Sequence, residues 1–365
     1  MKKVLMVSCE GLGRGGVQAV MMSILRQMKN DCMFDMLLFT EQVRHYDAEA
    51  LSYGGQIFRI PFYKGSNRLR QRWELCFRGL RIYRKVLQLM RQNGPYDVIH
   101  CNNYYESALC VKAAHKFGVP VRIAHFHAQM EKQRFPMNII NKHYMKMIHK
   151  YATHKLACSP SAGESAYGKQ GNAITVYNAY DETRFDPAKY AHTEKNLELI
   201  QIGSYSDNKN QLFSLDVLHA LRQRGENAKL HFVGFGDFRR KVEAHANRLG
   251  LTDFVQFHEA DADTPALLSR SVGCLFPSKK EGFGIVQVEA QAMGVRCYVS
   301  DTVPKDADAG GCCFLSLESG ADKWAEKILA DYRQYKGEPG AFDCSAFATE
   351  NINESYRKIY RGETL

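Results

Sequence analysis

The sequence predicts an α/β protein with two consecutive domains, each built on a parallel sheet. Short apolar runs alternate with helical patterns in both halves of the chain, which is typical of strand–helix–strand units. The chain has 365 residues, which is too long for one ordinary core and suits two domains of roughly 150 to 200 residues each. Its apolar content of 45% and charged content of 24% are those of a globular protein.

The first half of the chain alternates strand and helix patterns. Apolar runs predict strands at 4–8, 36–39, 57–60, 98–101, 121–126 and 156–158. Helical periodicity predicts helices near 17–28, 69–92, 106–117, 138–151 and 161–168. Ser159 and Pro160 mark the start of the last helix, because Ser caps free N–H groups and Pro suits the first helical position.

The second half repeats this plan. Strands are predicted at 197–202, 230–233, 255–257, 273–276 and 297–299, with helices between them. The polar stretch 178–196 is the predicted boundary, so we assign 1–180 to the first domain and 181–345 to the second. An amphipathic pattern at 346–360 predicts a terminal helix. Ligands of open parallel sheets bind beyond the carboxyl ends of the strands, so a cleft between the domains is the expected site.

Two carboxylates, Glu281 and Glu289, accompany a strand–loop–helix unit in the second half. The strand at 273–276 leads into a glycine-rich turn, and the helix pattern from Ile285 stops at Gly294, a natural C-cap. The N–H groups and positive dipole end at a helix start suit a phosphate. Carboxylates beside it can accept hydrogen bonds from sugar hydroxyls. The combination indicates a nucleotide sugar, and two solvated helix charges are the alternative.

Further candidates follow two other predicted strands. The glycine-rich turn at 11–16 has the spacing G-x-G-x-G-G, which is neither the nicotinamide fingerprint nor a P-loop, but its N–H groups can meet an anion. At the end of the fifth strand, alternation places His125 and His127 on one face and Phe126 on the other. His100 ends the neighbouring strand and is a candidate to line an acceptor pocket. A structural role for these histidines is the alternative.

The segments 280–290 and 294–301 resemble the signature of the retaining glycosyltransferases of family 4. That family has the GT-B architecture, two Rossmann-like domains facing across a cleft. The resemblance covers essentially the whole chain and is greatest to the subgroup that builds bacterial capsular and extracellular polysaccharides. It implies that the C-terminal domain holds the donor and the N-terminal domain the acceptor. It also implies that a helix within 346–365 crosses back to pack on the N-terminal domain.

The resemblance implies roles for single residues near the transferred sugar. Glu281 would contact the donor sugar, and Glu289 the nucleotide ribose. His127 matches the family histidine beside the transferred sugar, where it binds a hydroxyl or stabilises developing positive charge. His125 would support it.

Other residues would meet the donor diphosphate. Lys209 matches a family lysine and would act as a point charge. Backbone N–H groups would assist it, and they belong to Gly15, Gly16, Phe283, Gly284 and Ile285. Ser204 stands where the family has arginine, so one diphosphate contact is missing. Arg14, Lys279 or Lys280 are candidates to compensate.

These observations predict a retaining glycosyltransferase that needs no metal and no cofactor. It would transfer a sugar from a nucleoside diphosphate donor to a polyprenyl-diphosphate-linked oligosaccharide in capsule or exopolysaccharide synthesis. A UDP-sugar is favoured over a GDP-sugar as the donor by family frequency alone. The sequence Asp261-Ala262-Asp263 matches the Asp-x-Asp pattern of a site for a donor-bridging metal, but it precedes a helix and does not end a strand. We therefore interpret it as a helix cap. Alternatives with the same fold are a nucleotide-sugar 2-epimerase and a noncatalytic nucleotide-sugar-binding protein.

Positive charge is concentrated in the first half of the chain. Residues 1–190 contain 28 Lys and Arg against 14 Asp and Glu, a net charge of +14, and the remainder contains 21 against 25, a net charge of −4. An anionic partner is therefore expected, and no nucleic-acid recognition motif accompanies the charge. Basic and apolar residues alternate at 64–91 and again at 132–150, as in a helix lying on a bilayer. We expect docking on the anionic inner face of the membrane, and a solvated domain helix is the alternative.

The cysteines and hydropathy predict a cytoplasmic location. The 11 cysteines have no zinc-site spacing, so buried reduced thiols are expected. No apolar run approaches the ~18 residues that span a bilayer. The N-terminal run at 4–9 is too short for a signal peptide and is interpreted as a strand.

Overall fold

The computed structural model describes residues 1–8, 11–13, 15–61, 68–102, 106–130, 137–190 and 196–365, without the side chains of 68–77 and 137. These residues form two compact units. The first comprises Met1–Ala179 and Glu350–Leu365, and the second comprises Tyr180–Thr349. Each unit is built on one parallel sheet with helices between successive strands, so the predicted fold class is confirmed.

The first unit contains a seven-stranded parallel sheet. Its strands are β1 (Lys2–Ser8), β2 (Cys32–Leu38), β3 (Ile57–Arg59), β4 (Val98–Asn102), β5 (Val121–Phe126), β6 (His154–Ala157) and β7 (Ile174–Thr175). Their order across the sheet is β3-β2-β1-β4-β5-β6-β7. The order reverses between β1 and β4, which is the switch point beside which open α/β sheets bind ligands.

The helices of the first unit match the predicted pattern closely. They are α1 (Gly16–Met28), α2 (Asp47–Ser52), α3 (Arg68–Asn93), α4 (Glu106–Lys116), α5 (Met137–Tyr151) and α6 (Pro160–Tyr167). The predicted start of α6 is confirmed, because the Ser159 hydroxyl accepts a hydrogen bond from the Ala162 N–H at 3.1 Å. The short elements α2 and β7 were not predicted.

Helices cover both faces of the first sheet. On one face Val4 of β1 is buried in a core with Met21 of α1, and on the other Leu5 of β1 is buried with Ile82 of α3. Parallel strands that are buried on both faces appear in the sequence as continuous apolar runs. For this reason the six longer strands of this sheet could be located from hydropathy alone.

The second unit contains a six-stranded parallel sheet. Its strands are β8 (Glu198–Ile202), β9 (Lys229–Val233), β10 (Val255–His258), β11 (Gly273–Phe276), β12 (Arg296–Ser300) and β13 (Cys312–Leu315), in the order β10-β9-β8-β11-β12-β13. Its helices are α7 (Gln211–Gln223), α8 (Arg239–Arg248), α9 (Thr264–Arg270), α10 (Ile285–Ala292) and α11 (Gly320–Tyr335). The order reverses between β8 and β11. Strand β13 was not predicted.

The helix α12 (Thr349–Arg361) corresponds to the one predicted at 346–360 and belongs to the first unit. Four of its side chains lie in the core that contains Val4, namely Ile352, Tyr356, Ile359 and Tyr360. At its surface, Arg357 Nε lies 3.5 Å from Asp31 Oδ2. The predicted return of this helix to the N-terminal part of the chain is therefore confirmed. Within the described ranges, no helix combines the length and the apolar character that a bilayer crossing requires.

Candidate functional site

The start of α10 depends on a glycine. Gly284 has φ +87°, and a Cβ at this position would lie 2.4 Å from the Gln287 side-chain nitrogen, so other residues would be strained there. The first N–H groups of a helix have no partner within the helix, and they face the end that carries partial positive charge. The helix closes at Gly294, with φ +74°, as predicted. The side chain of Phe283 is buried, which leaves its backbone as the candidate ligand contact.

Two predicted donor-binding residues form an ion pair beside this helix start. Lys209 Nζ, from the loop after β8, lies 2.6 Å from Glu281 Oε1, from the loop after β11. The side chains of Lys209 and Glu281 are 20% and 13% exposed. Lys209 Nζ also lies 5.0 Å from the ring centroid of Phe276. The positive charge is thus held at the carboxyl ends of the two strands between which the order of the sheet reverses, where an anionic ligand is expected.

Asn208, which the sequence analysis did not single out, joins the two loops. The Lys279 N–H donates to the Asn208 carbonyl at 2.8 Å, and the Asn208 side-chain amide donates to the Lys280 carbonyl at 2.9 Å. Lys279 Nζ also lies 2.7 Å from Asp207 Oδ2. These three contacts fix the loop that carries Lys209 against the loop that carries Glu281. Asn208 is therefore a supporting residue of the ion pair.

The position of the missing arginine is open to solvent. Ser204 is exposed, and its carbonyl accepts a hydrogen bond from the Gln211 side chain at 2.9 Å. Of the residues considered as substitutes, Lys279 is engaged with Asp207, and Arg14 lies outside the described residues. The structure gives Lys280 no contact that would assign it this role.

Glu289 lies on α10 and is partly buried. Burial raises the pKa of the Glu289 carboxyl to about 7, because the charged form loses hydration. The guanidinium of Arg184 opposes this rise in pKa, and the carboxylate of Asp181 adds to it. Near neutral pH this carboxyl is therefore able to donate or to accept a hydrogen bond, which suits a pair of vicinal hydroxyls.

The three predicted histidines form one buried cluster on β4 and at the end of β5. The prediction that His100 ends its strand is wrong, because β4 continues to Asn102. His100 Nδ1 lies 2.9 Å from the Tyr360 hydroxyl, and His100 Nε2 lies 3.1 Å from His125 Nδ1. The ring centroids of His125 and His127 are 3.8 Å apart, as expected for side chains on one face. His100 and His125 are both 0% exposed. The contact between the rings of His125 and His127 agrees with the predicted supporting role of His125. The burial of His100 favours the structural alternative over the predicted place in an acceptor pocket.

His127 ends this cluster, with 7% of its surface exposed. Its Nε2 lies 2.9 Å from Asn102 Oδ1. Burial lowers the pKa of His127 to about 4, an effect that the Asn178 side chain opposes, and burial lowers the pKa of His100 to about 3. The pKa of His125 is also lowered well below its usual value by burial. All three rings are therefore neutral at pH 7. The amides Asn102 and Asn178 were not singled out from the sequence.

The glycine-rich turn after β1 leads directly into α1. Gly15 is the N-cap and Gly16 is the first helical residue. Among the described residues, no atom lies within 4 Å of the position that a Cβ at Gly16 would take, whereas a Cβ at Gly15 would clash with Gln18 Oε1. The turn lies at the switch point of the first sheet, which agrees with the expected contact to a ligand phosphate.

The interpretation of Asp263 as a helix cap is confirmed. Its carboxylate accepts a hydrogen bond from the Ala266 N–H at 3.2 Å, at the start of α9. Within the part of the chain that the structure describes, no group of three or more His, Cys, Asp or Glu side chains is arranged to hold a metal ion.

Comparisons with known proteins agree with these features. Residues 14–184 match the family model described as Glycosyltransferase Family 4, and residues 182–308 match the one described as Glycosyl transferases group 1. The putative glycosyltransferase EpsF of Bacillus subtilis is 29% identical over 345 residues, which cover 90% of this chain and 87% of EpsF. The capsular polysaccharide biosynthesis glycosyltransferase CapH of Staphylococcus aureus is 25% identical over 294 residues, which cover 77% of this chain and 81% of CapH.

Solved structures share the fold over nearly the whole chain. HepE of Anabaena in complex with UDP has a TM-score of 0.77 at 16% identity and covers 99% of this chain and 100% of HepE. A glycosyltransferase from Rickettsia africae has a TM-score of 0.77 at 15% identity and covers 99% of this chain and 98% of its own.

Proposed function

Because the chain belongs to the family 4 glycosyltransferases and is a GT-B enzyme of polysaccharide biosynthesis, we propose that it is a retaining enzyme that uses a UDP-sugar. The acceptor is a lipid-linked oligosaccharide of capsule or exopolysaccharide synthesis. The observation that carries the proposal is the ion pair between Lys209 and Glu281, 2.6 Å apart beside the start of α10. It combines a cation for a diphosphate with a carboxylate for sugar hydroxyls.

Lys209 and the N–H groups at the start of α10 bind the diphosphate. An ammonium that already lies between a carboxylate and a ring has lost part of its conformational freedom, so little reorganisation is needed when the phosphates arrive. Glu281 then accepts hydrogen bonds from the donor sugar, and Glu289 from the ribose. Complexes of HepE with UDP and with UDP-glucose support the choice of nucleotide. Diphosphate charge met in this way requires no bridging metal.

Transfer with retention proceeds on one face of the sugar. The bond from the anomeric carbon to the diphosphate oxygen breaks, and its electron pair leaves with the diphosphate. The acceptor hydroxyl forms its bond to the same carbon on the same face, and its proton passes to the departing diphosphate. No side chain is then required as a general base. His127 binds a hydroxyl of the transferred sugar, as its position in the family motif implies.

A lipid-linked acceptor places the enzyme on the inner face of the cytoplasmic membrane. The described part of α3 exposes Leu80, Arg84, Lys85 and Arg91, and the start of α5 exposes two isoleucines followed by lysines. Ile139 is 58% exposed. Basic side chains near an anionic surface contribute about 1 kcal/mol each, and exposed aliphatic residues beside them add apolar burial. The side chains of Arg68, Arg70 and Arg72, and the residues Lys132 to Pro136, lie outside the described residues.

The experiment that tests the proposal combines binding with product analysis. Thermal shift with UDP, GDP and their sugar conjugates is expected to give the largest stabilisation with a UDP-sugar. With that donor and a polyprenyl-diphosphate-linked acceptor, NMR of the product is expected to show the anomeric configuration of the donor, with and without excess EDTA. An inverted product contradicts retention. Activity that EDTA abolishes and Mg²⁺ restores contradicts the metal-free diphosphate site.

A further inference from the structure

Asn102, the last residue of β4, contacts the ring of His127, which follows the neighbouring strand β5. The Asn102 side chain is 1% exposed, and its Oδ1 lies 2.9 Å from His127 Nε2. Asn102 pairs in register with His125 of β5 and with Ser8 of β1. It therefore occupies the switch point of the first sheet, directly beside the histidine that the proposed function places against the sugar.

The neighbours of Asn102 determine which way its amide points. The amide nitrogen lies 3.2 Å from the Val7 carbonyl oxygen, 3.0 Å from the Met6 sulfur and 3.4 Å from the His100 carbonyl oxygen. All three atoms are acceptors. A rotated amide would bring its own oxygen against two carbonyl oxygens in a buried place, which is strongly unfavourable. The oxygen therefore faces His127.

An amide oxygen at this position selects one tautomer of the neutral imidazole. An Nε2–H donates to Asn102 Oδ1, whereas an unprotonated Nε2 would place two acceptors 2.9 Å apart. We propose that Asn102 is a positioning residue that holds His127 as its Nε2–H tautomer and so makes Nδ1 a hydrogen-bond acceptor for a hydroxyl of the transferred sugar. The sugar-binding part of this inference rests on the proposed function. The Asn178 side chain also interacts with His127, and because it raises the pKa of the ring it favours protonation. A direct measurement of the tautomer therefore decides which of the two amides controls the ring.

This assignment is compatible with both roles that the family resemblance leaves open for His127. A lone pair on Nδ1 is the negative end of the ring dipole. It accepts a hydrogen bond from a hydroxyl, and it also interacts favourably with positive charge that develops on the sugar ring. A protonated Nδ1 would instead donate to the hydroxyl oxygen, and it would not stabilise positive charge. The orientation of Asn102 therefore decides how the ring acts.

The tautomer can be measured without any substrate. Protein labelled with ¹⁵N-histidine gives two-bond proton–nitrogen correlations whose pattern separates the two tautomers, and the His127→Gln variant identifies the His127 signals by their loss. The expected result is an Nε2–H pattern for His127 at pH 7. In Asn102→Ala, which removes the acceptor at this position, the pattern is expected to become mixed or to reverse. An Nδ1–H pattern in the unmodified protein overturns the proposal.

Kinetics supply a second readout and a matched control. Asn102→Ala is expected to lower kcat by on the order of 10²-fold through misplacement of His127, with affinity for UDP changed less than about twofold, since the nucleotide is bound elsewhere. Tyr167→Phe removes a buried hydroxyl that donates to the Ala124 carbonyl of β5. It is expected to lower stability but to leave the tautomer and kcat as they are.

The outcomes separate the two claims. If the unmodified protein neither binds a nucleotide sugar nor transfers one, the proposed function fails whatever the tautomer. If it transfers sugar but Asn102→Ala leaves both tautomer and kcat unchanged, the positioning role fails alone. If Asn102→Ala and Tyr167→Phe lower kcat equally, Asn102 acts through stability and the positioning role also fails.

Discussion

Lys209 Nζ and Glu281 Oε1 lie 2.6 Å apart although 72 residues separate them in the chain. Each residue follows a strand, and β8 and β11 are neighbours in the sheet. Because the strands are parallel, the loops after them meet at one edge, which brings the cation and the carboxylate together. Hydrogen bonds of the backbone and side chain of Asn208 hold the two loops together. The loops therefore bring the two charged groups close to each other before the ion pair forms.

The two carboxylates of the second unit are expected to differ in kinetic effect. In the proposed function Glu281 contacts the sugar and this contact strengthens in the transition state, so Glu281→Ala should lower kcat on the order of 10²-fold. The proposed partner of Glu289 is the ribose, so Glu289→Ala should act mainly through weaker nucleotide binding. Steady-state kinetics with titrated donor separate the two effects. Equally small effects of both changes on transfer would contradict the assignment.

Introduction of the missing cation is expected to strengthen donor binding. Ser204→Arg places a guanidinium on the exposed loop that carries Lys209, and a charge-assisted hydrogen bond to phosphate is worth about 1.5 to 3 kcal/mol. The Kd for UDP, measured by calorimetry, should therefore fall by about tenfold or more. Gln223→Arg adds the same charge to the same unit at an exposed position on α7 and is the control. Equal affinities of the two variants would show that position 204 does not face the diphosphate.

The buried histidines are expected to make the protein acid-sensitive. The pKa of His127 is lowered to about 4 and that of His100 to about 3, from about 6.5 in the unfolded chain. Between pH 6.5 and 4 the unfolded chain therefore binds protons that the folded protein does not. Stability conferred by the neutral rings is present above pH 6.5 and is lost as the pH falls. The free energy of unfolding should decline by about 1.4 kcal/mol per pH unit for each ring. Denaturant unfolding of the protein and of His100→Gln at several pH values measures this slope, and an unchanged slope in the variant would contradict it.

Glu289 is expected to have the opposite effect on the pH dependence of the free energy of unfolding. Its folded pKa is raised to about 7 from 4.5, so its protonated form is favoured in the folded protein. That contribution is present below pH 4.5 and is lost as the pH rises through 7. Replacement by Gln, which is neutral throughout, should raise the free energy of unfolding at pH 8 on the order of 2 kcal/mol and have little effect at pH 4. A variant with the same gain at both pH values would show that the carboxyl is not perturbed.

The basic surface of α3 is expected to bind anionic membranes. Cosedimentation with phosphatidylglycerol vesicles should be strong at low salt and weak at 1 M salt, where the Debye length is about 3 Å. The triple change Arg84→Gln, Lys85→Gln and Arg91→Gln should reduce it. A control of equal charge replaces Arg240, Lys241 and Lys323, exposed residues of the second unit, by Gln. No binding at low salt, or equal loss in both triples, would exclude this face as the docking surface.

Most strands of the two sheets could be predicted from the sequence, because they are buried on both faces and appear as apolar runs. The sequence was insufficient where an element is short or half-buried. The strand Ile174–Thr175 has two residues, and every residue of Cys312–Leu315 is only partly buried. Neither leaves a clear hydropathy signal. Helix Asp47–Ser52, with six residues, is likewise too short for a reliable period.

The candidate site was predictable only as separate residues. Lys209, Glu281 and His127 could be identified because they match family motifs. Asn102 and Asn208 could not, because no local sequence pattern distinguishes them from ordinary amide side chains in turns and at strand ends. The depth of His100 depends on Tyr360, which lies 260 residues further along the chain. Interactions of this kind become visible only when the topology is known.

The discontinuity of the first unit has a consequence for biosynthesis. Residues 180–349 emerge from the ribosome between the sheet of the first unit and the helix that completes its core. At 5–20 residues per second their synthesis takes roughly 10 to 30 seconds. During that interval the nascent sheet presents the apolar surface that Tyr356 and Tyr360 later cover. The second unit is contiguous in the chain and can fold during this interval. The first unit is completed only after the second has been synthesised. Until then, its exposed apolar surface must be protected from aggregation.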